Sequence, residues 1–153
     1  FSFLIQGVEG NEILNLTSRH LKNGEANFNS YAVFNDRWIS EAEPGNGSIP
    51  RADRLSGNHG NNNRPSSFQV EDGSFIRLRN MTVGYTLPSD EIFGAAIKKL
   101  RFFVTGTNLF TKTDYLGFNP EVSASPNSSL TPGEDYGAYP LTKSFTLGLN
   151  LSF

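Results

Sequence analysis

The sequence predicts an all-β fold whose antiparallel strands cross a membrane as part of a β-barrel. Three observations lead to this prediction: a final segment that alternates apolar and small polar residues, four segments with strand character, and connections of very unequal length. No run approaches the ~20 apolar residues that a membrane-spanning helix needs. The mean hydropathy of −0.37 is compatible with a barrel, because barrel strands alternate apolar and polar residues and average to a low value.

The last predicted strand, about 142–153, has the clearest pattern. Small polar residues on one side alternate with apolar residues on the other, namely Phe145, Leu147, Leu149, Leu151 and Phe153. Lipid tails form no hydrogen bonds, so a face toward lipid must be apolar while neighbouring strands satisfy the backbone. We interpret these five residues as lipid-facing. The aromatic residue at the final position, after alternating apolar residues, resembles the C-terminal signature that barrel-assembly machinery recognises, which implies a role in barrel assembly. A strand of a soluble β-sandwich shows the same alternation, so the pattern alone leaves both folds open.

Three further strands are predicted at about 1–9, 75–87 and 99–110 from their alternation and their β-branched and aromatic residues. In the second strand Met81, Val83 and Tyr85 are expected to face outward, and in the third strand Leu100, Phe102 and Val104. Phe103 and Leu109 interrupt the polarity that we expect on the inward side of the third strand.

The alternation of the second strand changes phase near its start. Ile76 and Leu78 are apolar while Arg77 and Arg79 are charged, which is opposite to the phase downstream. One extra residue near Asn80 would turn both arginines inward and both aliphatic residues outward. We therefore predict a β-bulge near Asn80. The alternative is that Arg77 and Arg79 lie above the bilayer, where both faces of the strand are in water.

The connections predict an orientation in the membrane. Outer-membrane barrels have long extracellular loops and short periplasmic turns. The connections at about 10–74 and 111–141 are long, and the one at about 88–98 is short. We expect the first two to be extracellular and the third to be a periplasmic turn, where Ser89 could cap one helical turn. A compact soluble domain rarely contains a loop as long as 10–74.

Two short amphipathic helices are expected within the longest connection. The spacing of Leu14, Thr17 and Leu21 would place them on one face of a helix. Tyr31, Phe34 and Trp38 have the same spacing and would lie on one face of a second helix. Aromatic residues of the long loops could contact a ligand, but packing of the loops is the favoured explanation. These residues are Tyr31, Trp38, Tyr115, Tyr136 and Tyr139. We assign no substrate-binding residue among them.

Charge and composition argue against several functions. The net charge of −2, from 13 basic and 15 acidic residues without a basic stripe, gives no support for nucleic-acid binding. The absence of cysteine excludes disulfides and thiolate metal sites. His20 and His59 have no metal-ligand spacing around them. We expect no cofactor.

Catalysis has little support either. Adjacent or near-adjacent acidic residues occur at Glu41/Glu43, Glu71/Asp72, Asp90/Glu91 and Glu134/Asp135. A glycosidase needs two carboxyl groups across a cleft at a defined separation, whereas acidic pairs in turns are usually solvated. We therefore identify no catalytic and no metal-binding residue, and we expect the protein not to be an enzyme.

A series of short motifs carries a family resemblance. The motifs are EDGSFIRLRN at 71–80 running into MTVGYTLP at 81–88, GTNLFT at 106–111, GFNPE at 117–121, and DYGAYP at 135–140. In this order and spacing they resemble the C-terminal end of SusC/RagA-type TonB-dependent transporters. DRW at 36–38 and PRA at 50–52 fit the preceding loop of that family, so the resemblance covers essentially the whole chain, 1–153.

The resemblance implies that the chain is the C-terminal segment of a 22-stranded barrel with a plugged lumen, in the outer membrane of a Gram-negative bacterium. It implies import of a glycan or a peptide, together with a SusD-like surface lipoprotein and the TonB complex. TonB would act through an N-terminal part that this chain lacks. Phe1 is no initiator residue, so we expect the chain to begin within a longer polypeptide. The alternatives are a soluble β-sandwich that binds glycan and, less favoured, a glycan-cleaving enzyme.

Overall fold

The computed structural model describes residues 1–22, 29–52, 62, 64–88, 97–123 and 132–153. In chain order the strands are β1 (Ser2–Val8), β2 (Glu12–Asn15), β3 (Val70–Asp72), β4 (Phe75–Leu87), β5 (Lys99–Thr113), β6 (Glu134–Asp135) and β7 (Ser144–Ser152). Helix α1 spans Leu16–Lys22, and short 3₁₀ helices span Ala32–Asp36 and Ser67–Gln69. None of the helices in these ranges is long and apolar enough to cross a membrane.

The chain divides into two compact units. The first comprises 1–10, 74–114 and 140–153, and we call it the sheet unit. The second comprises 11–73 and 115–139, and we call it the loop unit because it is built from the two long connections.

The sheet unit is a four-stranded antiparallel sheet in the order β1-β4-β5-β7. The predicted all-β class with antiparallel strands is confirmed. Strand β4 occupies the range expected for it, and β1 and β7 lie within theirs. Strand β5 runs to Thr113, three residues beyond the expected end, because Thr111 and Thr113 still pair with β4 although their side chains are polar.

The β-bulge predicted near Asn80 is confirmed. Leu78 pairs with Phe110 and Asn80 with Thr107, so Arg79 alone lies opposite two residues of β5. Against β1, Arg79 is the extra residue, because Leu4 pairs with Asn80 and Ile5 with Leu78. One of the two opposing residues, Asn108, has a φ of 53°, the left-handed conformation that asparagine tolerates better than most residues.

The bulge also redirects Leu109. The leucine side chain occupies the space next to Gly106, where an added Cβ would lie 2.6 Å from Leu109 Cδ2. Gly106 pairs with Met81 and Phe145, so this space is on the side of the sheet that carries their apolar side chains. The expectation that Leu109 interrupts the inward side is therefore wrong, because the extra residue turns it outward.

The loop unit contains a second sheet that the sequence did not predict. Its order is β3-β2-β6, with β2 antiparallel to β3 and parallel to β6. Ile13, Tyr115 and Val122 form its buried core, and Ala138 packs against them. Residues from both long connections thus share one small core.

The helices of the loop unit differ from those expected. Leu14 lies in β2 and pairs with Val70, so the helix begins only at Leu16. Asn15 provides its start, because its Oδ1 accepts a hydrogen bond from the Ser18 N–H at 2.9 Å. The second expected helix is a 3₁₀ helix, Ala32–Asp36. The expected cap at Ser89 falls outside the described residues.

Candidate functional site

The pairing register sorts the side chains of the sheet unit onto two faces. Val83 pairs with Val104, and Val104 with Leu147, which places them in one row on the same side. We call this side the apolar face. In this register the apolar face carries Phe3, Ile5, Ile76, Leu78, Met81, Val83, Tyr85, Leu100, Phe102, Val104, Phe110, Phe145, Leu147, Leu149 and Leu151. The opposite side, the inner face, carries mainly hydroxyl, amide and basic side chains.

The apolar face is exposed. In β7 the relative exposure of Phe145 is 73%, of Leu147 81%, of Leu149 55% and of Leu151 48%. Phe153 follows the strand and is 82% exposed. A sandwich would cover such a face with a second sheet. Contiguous exposed apolar surface of this extent is typical of a face that contacts lipid or another protein.

The length of the apolar face fits a membrane. Along β5 it runs from Leu100 to Phe110, and one residue of this span is taken up by the bulge. About nine residue steps of ~3.3 Å at a tilt near 40° give about 23 Å across the bilayer. The apolar band of outer-membrane barrels is ~25 Å tall. Lys112, which pairs with Ile76, ends the apolar run on this face.

Several polar groups of the inner face contact one another. The hydroxyls of Thr82 and Thr105 are 2.8 Å apart across the two central strands. Arg77 is 2% exposed, donates from Nε to the Thr111 hydroxyl at 2.9 Å, and places its guanidinium 5.0 Å from the centre of the Phe75 ring. Because Thr111 is an inner-face residue, Arg77 faces inward, as the bulge prediction required.

Two glycines of the inner face are covered by side chains of β5. The Phe103 ring lies on Gly148, where an added Cβ would be 2.0 Å from Phe103 Cζ. The Arg101 guanidinium lies on Gly84, where an added Cβ would be 2.9 Å from both Nε and Nη2. Phe103 therefore does interrupt the polarity of the inner face, but its ring packs against the sheet at Gly148. Glycine in a strand often marks such close approach.

The loop unit is organised around a buried carboxylate, Asp135, which is 3% exposed. Its Oδ1 accepts hydrogen bonds from the N–H groups of Gly137 at 2.7 Å and Ala138 at 2.8 Å. Its Oδ2 accepts one from the Tyr115 hydroxyl. Gly137 has a φ of 97°, which suits glycine, so the turn can fold back onto the carboxylate. We call this arrangement the Asp135 clamp.

The clamp fixes the protonation of Tyr115. Burial and then the hydrogen bond to Asp135 raise the pKa of Tyr115 well above its ordinary range. The phenol therefore remains a proton donor at any physiological pH. Tyr115, one of the aromatic residues considered for ligand contact, is a core residue at 5% exposure. Tyr136 and Tyr139, which flank the clamped turn, are 68% and 83% exposed.

Two of the acidic pairs contribute a carboxylate to structural contacts. Glu71 binds the Lys22 ammonium at 2.8 Å, and its other oxygen accepts the Leu116 N–H at 3.2 Å. Asp135 belongs to the clamp, and Glu41 and Glu43 are exposed in a turn. Asp90, Glu91 and His59 fall outside the described residues. Within the described ranges, no group of three or more acidic or histidine side chains could hold a metal ion.

Sequence reasoning missed the clamp, although a signal for it exists. In Asp135-Tyr136-Gly137-Ala138 an aspartate precedes a glycine by two residues, the spacing of an Asx turn whose side chain accepts the following N–H groups. The acceptance of a third donor, Tyr115 from twenty residues earlier, could not be read from that local spacing.

The chain was compared with known proteins. No protein-family model matches it. It is 35% identical over 156 residues to TonB-dependent receptor P26 of Formosa agariphila, a match that covers 100% of this chain and 15% of the relative. It is also 35% identical to TonB-dependent receptor P3 of the same organism, over 99% of this chain and 15% of the relative. The chain thus spans about 15% of the length of these curated relatives.

Solved structures share the fold. The RagAB peptide importer in the 'open-open' state matches 99% of this chain and 15% of the solved chain, with a TM-score of 0.76 and 23% identity. The same importer in the 'closed-closed' state matches with a TM-score of 0.76 and the same coverage. At this identity the likeness establishes the fold and no more.

Proposed function

The chain belongs to the TonB-dependent receptors, and on this premise we propose that it forms one arc of the barrel of a nutrient importer. Its place is the outer membrane of a Gram-negative bacterium. In this proposal the sheet unit contributes four strands to a 22-stranded barrel, whose other strands lie outside these 153 residues. The apolar face contacts lipid, including the five residues Phe145, Leu147, Leu149, Leu151 and Phe153.

The observation that carries the proposal is the exposed apolar face of membrane length. Leu147 and Leu149 are more than half exposed although they are aliphatic, and their neighbours on the same face are exposed as well. In water this arrangement would be unfavourable by ~25 cal/mol for each Å² of apolar surface. In a bilayer the same surface is favourable, and the two central strands, β4 and β5, have backbone partners on both sides. In this proposal the outer edges of β1 and β7 pair with further strands of the barrel.

The orientation follows from the connections. We propose that the segments 10–74 and 111–141 are extracellular and that 88–98 is a periplasmic turn. The existence of the loop unit supports this, because both long segments contribute to one small core with its own sheet. Such a unit needs water around it, and the outside of the cell provides it.

The cargo and the partners are inferred from the relatives. The solved neighbours are described as peptide importers, and we propose a peptide or a glycan as the nutrient. A SusD-like lipoprotein would act at the extracellular mouth, and the TonB complex would supply energy through a part of the protein outside this chain. The curated relatives are named as receptors and not as enzymes, which supports a role without catalysis.

Two measurements test the proposal: the location of the full-length receptor in wild-type cells, and growth after deletion of its gene. In wild-type cells we expect the receptor in the outer-membrane fraction, with an electrophoretic mobility that changes on heating, as folded barrels show. We also expect the deletion strain to lose growth on one class of peptide or glycan. Unchanged growth on all such nutrients would contradict import.

The soluble β-sandwich alternative is tested separately. The 153-residue chain expressed alone should require detergent, because its apolar face is uncovered. A folded, monodisperse monomer in plain buffer that binds glycan would instead support the sandwich.

A further inference from the structure

The apolar run of β5 ends in a lysine. Lys112 pairs with Ile76 and lies two residues beyond Phe110 on the apolar face. It is exposed. A lysine lays its hydrocarbon stem along apolar surface while its ammonium group reaches water or a polar head group. Lys112 therefore suits the boundary between acyl chains and lipid head groups.

The apolar run of β7 ends in a second lysine. Lys143 precedes Phe145 by two residues, so the alternation of β7, continued beyond the start of the strand, places it on the apolar face as well. The Asn108 side-chain amide donates to the Thr142 carbonyl at 3.3 Å, which holds this segment beside β5. Lys143 is exposed too.

The two lysines are close enough to share one ligand. In the continued register Lys143 lies level with Asn108, and Lys112 is four residues further along β5, of which the bulge takes up one. The remaining steps of ~3.3 Å along the strand and one strand spacing of ~4.8 Å separate the two Cα atoms by about 11 Å. Two flexible lysine stems can close this gap, so the ammonium groups can meet at one phosphate or hold two phosphates of one head group.

The charge at this end of the apolar face favours an anion. Within the part of the chain that the structure describes, neither ammonium group forms an ion pair. Asp114 lies two residues beyond Lys112, further from the apolar run, and Glu9 follows β1 at the opposite edge of the sheet from β7. The first charged side chain after the apolar run is therefore a cation on both β5 and β7.

A lipid with a phosphorylated head group matches this arrangement. Its acyl chains would lie against the apolar residues and its phosphates against the ammonium groups, in the order in which the face presents them. An ammonium group binds phosphate as a compact point charge. Free phosphate lacks the apolar part and gains nothing from Phe110 and Phe145, which are 58% and 73% exposed.

We propose that Lys112 and Lys143 together bind the phosphorylated head group of a lipid in the outer leaflet of the membrane. The inference rests on the proposed function, because it requires the apolar face to contact lipid and this end of the sheet to be extracellular. It goes beyond general contact with lipid, because it assigns one kind of head group to two particular side chains.

Acetylation of lysines in the full-length receptor tests the inference. The receptor is placed in phosphatidylcholine vesicles that contain either diphosphorylated lipid A or the same lipid without its phosphates, and mass spectrometry follows the acetylation of each lysine. The attraction of one lysine to an anionic membrane corresponds to about fivefold in an equilibrium. We therefore expect the phosphorylated lipid to slow the acetylation of Lys112 and Lys143 by about fivefold relative to the dephosphorylated lipid.

Two controls accompany this measurement. Lys99 is exposed, but the register places it on the inner face, so its acetylation should be the same with both lipids. Inorganic phosphate added to vesicles with the dephosphorylated lipid should not slow the acetylation of Lys112 or Lys143. Equal rates at these two lysines with both lipids would overturn the inference. Equal slowing at Lys99, or slowing by inorganic phosphate, would overturn it too.

Variants show whether the two lysines act together. Lys112→Gln should return the acetylation of Lys143 toward its rate with the dephosphorylated lipid, because the lipid then loses one of two contacts. Lys112→Arg keeps the charge and should preserve the slowing at Lys143. Asp114→Asn, which changes a charge two residues away, is the matched control and should preserve it as well. Unchanged slowing at Lys143 in Lys112→Gln would overturn the shared site.

Two further measurements separate this inference from the proposed function. If Lys112→Gln does not reach the outer membrane, Lys143→Gln with acetylation of Lys112 gives the same comparison. Outer-membrane location and heat-modifiable mobility of the wild type are measured on the same preparation. A wild type that lacks both contradicts the proposed function, whereas a wild type that has both, with lysines insensitive to the phosphates of the lipid, contradicts the lipid site alone.

Discussion

The sheet unit and the loop unit place their apolar and polar side chains in opposite ways. In the sheet unit the large apolar residues are exposed on one face, and a charged side chain, Arg77, is among the most buried groups. In the loop unit Ile13, Tyr115 and Val122 are buried, as in any water-soluble domain. The difference supports the proposal that one chain is folded for two solvents, lipid for the first unit and water for the second.

Charge follows the same division. Among the described residues, basic side chains outnumber acidic ones in the sheet unit, and acidic side chains outnumber basic ones in the loop unit. The carboxylates of the loop unit include structural groups, Asp135 in its clamp and Glu71 bound to Lys22. Substitutions can therefore be directed at one unit while the other serves as an internal control.

Loss of the Asp135 clamp should have the largest effect. Asp135→Ala removes a buried carboxylate that accepts three hydrogen bonds, and we expect it to destabilise the loop unit by on the order of 4 kcal/mol. The measurement is the urea midpoint for proteinase K cleavage of the full-length protein within residues 11–73. Heat-modifiable mobility of the barrel should not change. Loss of that mobility would mean that the two units do not fold separately.

A charge on the apolar face should have the next largest effect. Leu149→Arg should cost about 2–4 kcal/mol if Leu149 lies near the bilayer midplane. Thr146→Arg and Asn150→Arg, on the inner face of the same strand, are the matched controls and should be tolerated better. Folding into lipid vesicles against urea gives the comparison, and equal damage from the two faces would refute the assignment of the lipid-facing side.

The sheet unit could be predicted from the sequence because its signals are local. A strand with one apolar and one polar face alternates in sequence, so the apolar residues from Phe145 to Leu151 reveal both the strand and its faces. The bulge was predictable for the same reason, since one extra residue keeps Arg77 and Arg79 inward once the phase changes.

The loop unit could not be predicted because its contacts are distant in sequence. β2 and β6 are 4 and 2 residues long, too short for any periodic pattern, and they pair across more than a hundred residues. The Asp135 clamp joins a turn to Tyr115, and no local sequence pattern at either residue indicates its partner. The packing of Arg101 on Gly84 and of Phe103 on Gly148 could not be predicted either, because a glycine in a strand does not indicate which side chain lies across it.

Filling a glycine of the inner face should have a moderate effect. Gly148→Val places methyl groups where the Phe103 ring lies, and we expect a loss of about 1–3 kcal/mol in the sheet unit from overpacking. In a Phe103→Ala background the same substitution should cost much less, since the space is then vacant. The same vesicle folding assay measures both. If the losses of stability from Gly148→Val and Phe103→Ala are additive, the ring and the residue at position 148 do not interact. Proteinase K cleavage of the loop unit should be the same in all of these variants.

The smallest predicted effect is a loss of loop-unit stability at high pH. Because the pKa of Tyr115 is raised in the folded unit, the unfolded chain loses the phenolic proton first, near pH 10. The contribution of Tyr115 to the free energy of unfolding is therefore constant below about pH 10 and falls above it, by about 1 kcal/mol between pH 10 and pH 11. Tyr115→Phe should remove this slope, at the cost of the hydrogen bond to Asp135, whereas Tyr136→Phe should keep it because Tyr136 is exposed. Proteinase K cleavage in urea at about pH 9, 10 and 11, values on either side of the ordinary tyrosine pKa, measures how stability changes with pH in the wild type and in both variants. If Tyr115→Phe retains the slope, the buried phenol is not its source, and the loop unit's core is less isolated from water than its packing implies.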